Sequence, residues 1–205
     1  MYSKIQYISQ GKSAAEQLDT ICKVLDAGYK WIQLRYKNVP EAEVLNLAVQ
    51  VKKIIDNYDC TFIINDFPEV AKIVDADGVH LGLNDANVNK VRALLGYSKI
   101  IGGTANTLHN VLQRHIEQCD YIGLGPFRFT ATKENLSPIL GLEGINNIMQ
   151  RLQELDIKTP VYAIGGIQHD DIKSILKTGV YGVALSGFIT GHPQKKELFS
   201  QLQTL

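Results

Sequence analysis

Apolar and polar positions follow two rhythms along this chain. Short, continuous apolar runs at 5–9, 31–35, 61–65, 78–81, 99–102, 121–124, 161–164 and 182–185 predict β-strands. Between them, and after the last, segments 13–27, 40–58, 68–74, 86–95, 107–118, 142–155, 170–177 and 193–205 carry helical periodicity. Within 107–118, for example, Leu108, Val111, Leu112, His115 and Ile116 recur at helical spacing and predict the inward face. The strand runs, such as Phe62-Ile63-Ile64 and Val161-Tyr162-Ala163-Ile164, are apolar throughout rather than alternating. That suits parallel strands covered on both faces. Pro40 fits a first helical turn, where its missing N–H costs nothing. Gly28, Gly96 and Gly179 follow helical segments, where a left-handed cap favours glycine.

Eight strand–helix units are the number that closes a (β/α)₈ barrel. With 205 residues the chain falls short of the roughly 250 typical of that fold, so the loops must be short. An open doubly wound sheet is the competing architecture. It normally carries Gly-x-Gly-x-x-Gly after its first strand, and Gln10-Gly11-Lys12-Ser13 is not that turn. No low-complexity stretch or linker interrupts the pattern. The expectation is one α/β domain over 1–205, a TIM barrel.

Charge narrows the partners. Twenty-one basic residues balance 21 acidic ones, which removes the bulk electrostatic case for nucleic acid or an anionic membrane. No apolar run approaches the roughly 20 residues that span a bilayer, and the first residues hold too short an apolar stretch for a signal peptide. Cys22, Cys60 and Cys119 are far apart with no Cys-x-x-Cys pair, so free thiols in a reducing compartment are expected. The chain reads as a soluble cytoplasmic protein acting on small molecules, without nucleic acid or membrane partners. A homo-oligomer stays open.

Candidate chemistry collects just past the C-terminal ends of the strands, the face on which barrel enzymes build their sites. Gln33, Arg35 and Lys37 alternate at the end of the second strand. An amide inside an apolar run needs a partner, and two neighbouring cations repel unless an anion lies between them. Asn65-Asp66 ends the third strand and Asp85 follows the fourth. Two carboxylates on adjacent strand tips could share Mg²⁺ with water and substrate oxygens, or could instead cap the helices that follow them. His80 reads as a packed or hydrogen-bonded strand residue. Gly102-Gly103 before Thr104 permits either close approach to a ligand or a tight turn. Gly165-Gly166 after the seventh strand and Ser186-Gly187 after the eighth match the usual phosphate site of such barrels. The longest loop, 125–141, offers Thr130, Thr132 and Lys133 to a phosphate and has the length of a lid or binding loop.

Those same residues carry a family resemblance. Gln33-x-Arg35-x-Lys37, Ile64-Asn65-Asp66, Gly78-Val79-His80-Leu81-Gly82 with Asp85, Tyr121-Ile122-Gly123-Leu124-Gly125-Pro126, Thr130-x-Thr132-Lys133 and Ala163-Ile164-Gly165-Gly166-Ile167 resemble the thiamine-phosphate synthase family in order. The resemblance runs from about Gln33 to Ser186. It implies a barrel that joins hydroxymethylpyrimidine diphosphate to hydroxyethylthiazole phosphate and releases diphosphate. It implies Mg²⁺ on Asp66 and Asp85. It further implies that Gln33, Arg35, Lys37, Asn65, Thr104 and Lys133 receive the pyrimidine diphosphate, and that Thr130, Thr132, Gly166, Leu185 and Ser186 receive the thiazole phosphate. Arg35, Lys37 and Lys133 would then stabilise charge on the departing oxygens.

Four positions depart from the family pattern. Leu83 stands where glutamine is usual, Thr104 for serine, Phe129 for proline, and Asn106 where histidine is frequent. The related thiazole tautomerases rely on a histidine near position 106 and tend to lack the paired aspartates, so the synthase reading is preferred. A non-catalytic barrel binding thiazole phosphate or thiamine phosphate, and a sugar-phosphate isomerase or epimerase, are the other readings.

Overall fold

The computed structural model describes residues 2–129 and 138–204. Eight strands alternate with helices along it: β1 (Ile5–Ile8), α1 (Ala14–Asp26), β2 (Trp31–Leu34), α2 (Glu41–Ile55), β3 (Thr61–Asn65) and α3 (Pro68–Ile73). Then come β4 (Gly78–Leu81), α4 (Val88–Leu95), β5 (Ile100–Ala105), α5 (Leu108–Ile116), β6 (Tyr121–Leu124) and α6 (Gly141–Glu154). The chain ends with β7 (Val161–Ile164), α7 (His169–Leu176), β8 (Gly182–Leu185), α8 (Gly187–Gly191) and α9 (Lys195–Gln203). Each strand pairs in parallel with the next, and β8 pairs with β1 through Ile5–Val183 and Tyr7–Leu185. The sheet is a closed barrel, as the eight-unit count predicts.

Local chemistry sets the helix boundaries. The Ser13 hydroxyl accepts the Glu16 N–H (3.2 Å) and the Thr107 hydroxyl accepts the Asn110 N–H (3.2 Å), each satisfying a donor that a helix start leaves free. Gly28, Gly96 and Gly179 adopt φ of 98°, 86° and 90°, the conformations their places after helices required. Along α2, Val44, Leu47, Ala48, Val51 and Ile55 form the buried stripe against the sheet.

Alternation sends every second strand residue inside. Trp31, Tyr121 and Tyr162 meet edge to face there, with ring centroids 5.1, 5.3 and 5.7 Å apart. Such pairs contribute about 0.5–1.5 kcal/mol each beyond their burial. Ile8, Ile63 and Ala184 complete this inner cluster. Room for the rings comes from missing side chains: a Cβ at Gly102 would collide with the Tyr121 phenol, and one at Gly182 would lie 2.8 Å from Tyr162 Cε1.

Three expectations need correction. The fifth strand runs on to Ala105, so Gly102 and Gly103 are strand residues rather than a turn. Gly102 clears space inward for Tyr121, while Gly103 clears it outward, where a Cβ would lie 2.7 Å from Arg114 Cδ. On α5 the buried face is centred on Val111 and Arg114; Ile116 is 78% exposed and His115 is exposed. The apolar count favoured Ile116, but the guanidinium of Arg114 has polar partners beneath the helix. Finally, the short α8 follows β8 directly, concealed in the sequence by a glycine at each end, which lowers its helix propensity.

Candidate active site

The mouth of the barrel is built from β2 onward. Beyond Leu34 the chain is held on both sides: the Arg35 N–H donates to Ser9 Oγ (2.9 Å), and Gln17 Nε2 donates to the Arg35 carbonyl (3.0 Å). Burial lowers the pKa of the Arg35 guanidinium, and Asp66 opposes that shift. Gln33 is 1% exposed, and its amide nitrogen has no hydrogen-bond partner among the described residues.

Lys37 crosses to β3, where its Nζ lies 2.9 Å from Asp66 Oδ2. Asp66 has φ of 68°, and the Phe67 N–H donates to the Asn65 carbonyl (3.0 Å) around it, a tight three-residue turn. Such left-handed backbone is uncommon outside glycine and tends to persist at functional sites. The Asp66 N–H still donates to the His80 carbonyl (2.9 Å), so the turn stays tied to β4. Asn65, at the end of β3, is 7% exposed.

Asp66 and Asp85 come together. Burial raises the Asp66 pKa first, and the adjacent Asp85 carboxyl raises it further by hydrogen bonding and like charge; Lys37 opposes both. Neither aspartate caps a following helix: α3 starts after Phe67 with no side-chain cap, and α4 is capped by Asn87. Asp85 does make one local bond, its Oδ2 accepting the Gly82 N–H at 2.6 Å. Among the described residues no group of three or more His, Cys, Asp or Glu is poised around a metal. Two carboxylates that repel one another, each with one oxygen engaged, still suit a hard divalent cation that completes its shell with water and substrate oxygens.

Thr104, half-buried in β5, bonds His80 Nε2 at 3.0 Å, and His80 Nδ1 bonds the Tyr121 hydroxyl at 3.0 Å. His80 is therefore the hydrogen-bonded strand histidine that the sequence suggests. Asn106 donates to the Gly125 carbonyl and leaves its own carbonyl oxygen unpartnered among the described residues. Leu83 is 41% exposed beside the Asp85 turn.

On the far side, Gly165 and Gly166 adopt φ of 100° and 66°. A Cβ on Gly165 would sit 2.9 Å from Pro126, and one on Gly166 3.0 Å from Arg128 Cβ, so both glycines admit the loop after β6. Ser186 Oγ donates to Gln10 Oε1 (3.2 Å), with Gly187 alongside. Leu185 is 2% exposed and belongs to the core. Thr130, Thr132 and Lys133 lie outside the described residues.

Two features escaped sequence reasoning. Arg128 pairs both its terminal nitrogens with Asp171 (2.8 and 2.9 Å) and also donates to the Gly166 carbonyl, fastening the β6 loop to α7. Arg114, 4% exposed, donates to the carbonyls of Thr104 (3.2 Å) and Gly82 (2.8 Å) and pairs with Glu117 (2.8 Å). Neither forms a motif; the only signal for Arg114 was its place one turn beyond Val111.

Comparison with known proteins places the chain in a family. The family model described as thiamine monophosphate synthase matches residues 5–189. A thiamine-phosphate synthase of Flavobacterium psychrophilum is 55% identical, covering 98% of each chain. One from Flavobacterium johnsoniae is 50% identical, covering 98% of this chain and 95% of the other. Among solved structures, a thiamine phosphate pyrophosphorylase from Pyrococcus furiosus superposes with a TM-score of 0.84 at 29% identity, covering 98% and 94% of the two chains. A 3-hexulose-6-phosphate synthase, at 15% identity and a TM-score of 0.72, shares the fold alone. By its sequence and its barrel, this chain belongs to the thiamine monophosphate synthase family.

Proposed function

We infer that this protein is a thiamine-phosphate synthase. It joins 4-amino-2-methyl-5-(diphosphooxymethyl)pyrimidine to hydroxyethylthiazole phosphate. The bond between the pyrimidine methylene carbon and the diphosphate oxygen breaks, a bond forms from that carbon to the thiazole nitrogen, and diphosphate leaves. The observation that carries this reading is the joining of Arg35 and Lys37 to the Asp66–Asp85 pair at one side of the mouth.

The thiazole nitrogen is already a nucleophile, so the protein needs no activated side chain. Its task is to stabilise the leaving group and align the attacker. Arg35 and Lys37, at adjacent alternate positions, would bind the diphosphate and neutralise charge as it grows. Lys133 would do so from the β6 loop. Gln33, Asn65 and Thr104 would orient the aminopyrimidine and its diphosphate. Asp66 and Asp85 would hold Mg²⁺, which supplies positive charge to phosphate oxygens when bound. Across the mouth, Gly165, Gly166, Leu185, Ser186 and Gly187, with Thr130 and Thr132, would seat the thiazole phosphate.

Incubating the pure protein with both substrates tests this reading, with and without Mg²⁺. Thiamine phosphate and diphosphate should form in equal amounts, and chelation should stop them. No product in the presence of Mg²⁺ would refute the activity; undiminished product under chelation would refute the metal.

A further inference from the structure

The barrel interior below the mouth holds a chain of polar side chains where an apolar core is the norm. Gln6 (1% exposed) donates from Nε2 to the Tyr121 hydroxyl at 3.1 Å. Tyr121 then bonds His80 Nδ1, and His80 Nε2 bonds Thr104 Oγ1, both at 3.0 Å. Buried polar groups are costly unless paired, so three of them in series, ending on half-buried Thr104, demand a reason.

The sheet register shows that the chain is built in. His80 on β4 and Tyr121 on β6 are not neighbours; Gly102 on β5 stands between them, in register with each. Only because position 102 has no side chain can the imidazole and the phenol meet across β5. One step higher, Thr104 is in register with Gly123, whose Cβ would lie 3.3 Å from His80 Cε1. Two glycines thus clear the space in which the imidazole lies.

Hydrogen-bond polarity then fixes a direction. A tyrosine hydroxyl has one proton. Its oxygen already accepts from Gln6, which leaves the proton for His80 Nδ1. An imidazole that accepts at Nδ1 carries its proton on Nε2 and donates it to Thr104 Oγ1. With that oxygen accepting from His80, the Thr104 proton is left for another acceptor.

We propose that Tyr121 and His80 are positioning residues that commit the Thr104 hydroxyl to donating a hydrogen bond to an acceptor atom of the pyrimidine diphosphate. The ligand's identity rests on the functional reading above; the direction of the chain does not.

Two measurements decide it. Nitrogen-15 NMR of the imidazole side chains, with His80 assigned by loss of its signals in His80→Asn, should show His80 protonated at Nε2 and bare at Nδ1. Tyr121→Phe keeps the ring and should disturb that tautomer. The second measurement is a double-mutant cycle in kcat/KM. Tyr121→Phe should lower the value for the pyrimidine diphosphate about tenfold, the scale of one hydrogen bond, while leaving the KM for thiazole phosphate unchanged. In the Thr104→Val background the same change should cost nothing further, whereas Thr104→Ser should keep the coupling. A residue supporting only the fold would cost the same in both backgrounds. His80 protonated at Nδ1, or losses that multiply independently, would overturn the proposal. If the unaltered protein makes no product, the functional reading fails alone, and the imidazole spectrum still decides the direction.

Discussion

Lys37 Nζ lies 2.9 Å from Asp66 Oδ2, bridging the ends of β2 and β3, yet this ion pair does not bring the Asp66 pKa down to the ordinary carboxylate range. Burial and the neighbouring Asp85 outweigh it. Two carboxyl groups at the mouth thus disfavour each other's charge.

A stability signature follows. With its pKa raised on folding, Asp66 binds a proton more tightly in the native than in the unfolded state. Stability contributed by that proton is present at low pH and is lost as pH rises through the raised value. Asp66→Asn should remove that slope and raise the neutral-pH melting temperature of the metal-free protein by about 2–4 °C, equivalent to about 1 kcal/mol. The same variant should lose turnover. Thermal melts across pH, with and without Mg²⁺, check this: Mg²⁺ should stabilise the unaltered protein and leave Asp66→Asn unmoved. A melting temperature that falls in the variant would show the carboxylate to be structural.

Lys37→Met tests the cation itself. It removes charge from the leaving-group side and also deprives Asp66 of its pairing partner. We expect kcat to fall about 10²–10³-fold, as for loss of one charged stabilising group, with little change in the KM for thiazole phosphate. Steady-state kinetics on each substrate separates the two. A rise confined to the thiazole KM would place Lys37 on the other substrate.

Lys133→Ala should likewise slow the chemical step more than it weakens thiazole phosphate binding. Single-turnover measurements at saturating substrate read the chemistry directly. An unchanged single-turnover rate would remove Lys133 from the leaving group.

The barrel was legible because its signal is redundant: eight apolar runs, seven intervening helical stretches and three well-placed glycines all agree. Gln33 was legible for the opposite reason, being one amide in an apolar strand. What remained hidden depends on register and distance. Gly102 read as room for a ligand or as part of a turn, because sequence gives no hint that a tyrosine 19 residues later fills the space it vacates. Asp66 and Asp85 were placed on neighbouring tips by strand order, but whether they cap helices depends on where α3 and α4 begin, which is after Phe67 and Asn87. Arg114 was hidden by its charge, since a helical arginine is ordinarily at the surface.

That arginine gives the last prediction. Its guanidinium holds together the carbonyls of Gly82, just past β4, and Thr104, in β5, and it pairs with Glu117, whose side chain is 16% exposed. Gly82 in turn donates its N–H to Asp85, so the clamp lies one hydrogen bond from a carboxylate proposed above to hold the metal. Arg114→Met leaves two carbonyls without donors and Glu117 with only its Gln113 hydrogen bond, and should cost about 3 kcal/mol, the lower end for breaking a buried pair. Glu117→Gln removes the ion pair but keeps both carbonyl bonds, and should cost no more than about 1–2 kcal/mol. Urea titration of the two variants gives the comparison. If the clamp fixes the Asp85 turn, Arg114→Met should also raise the Mg²⁺ concentration for half-maximal activity, while Glu117→Gln leaves it unchanged. Equal shifts in both would assign Arg114 to helix α5 alone.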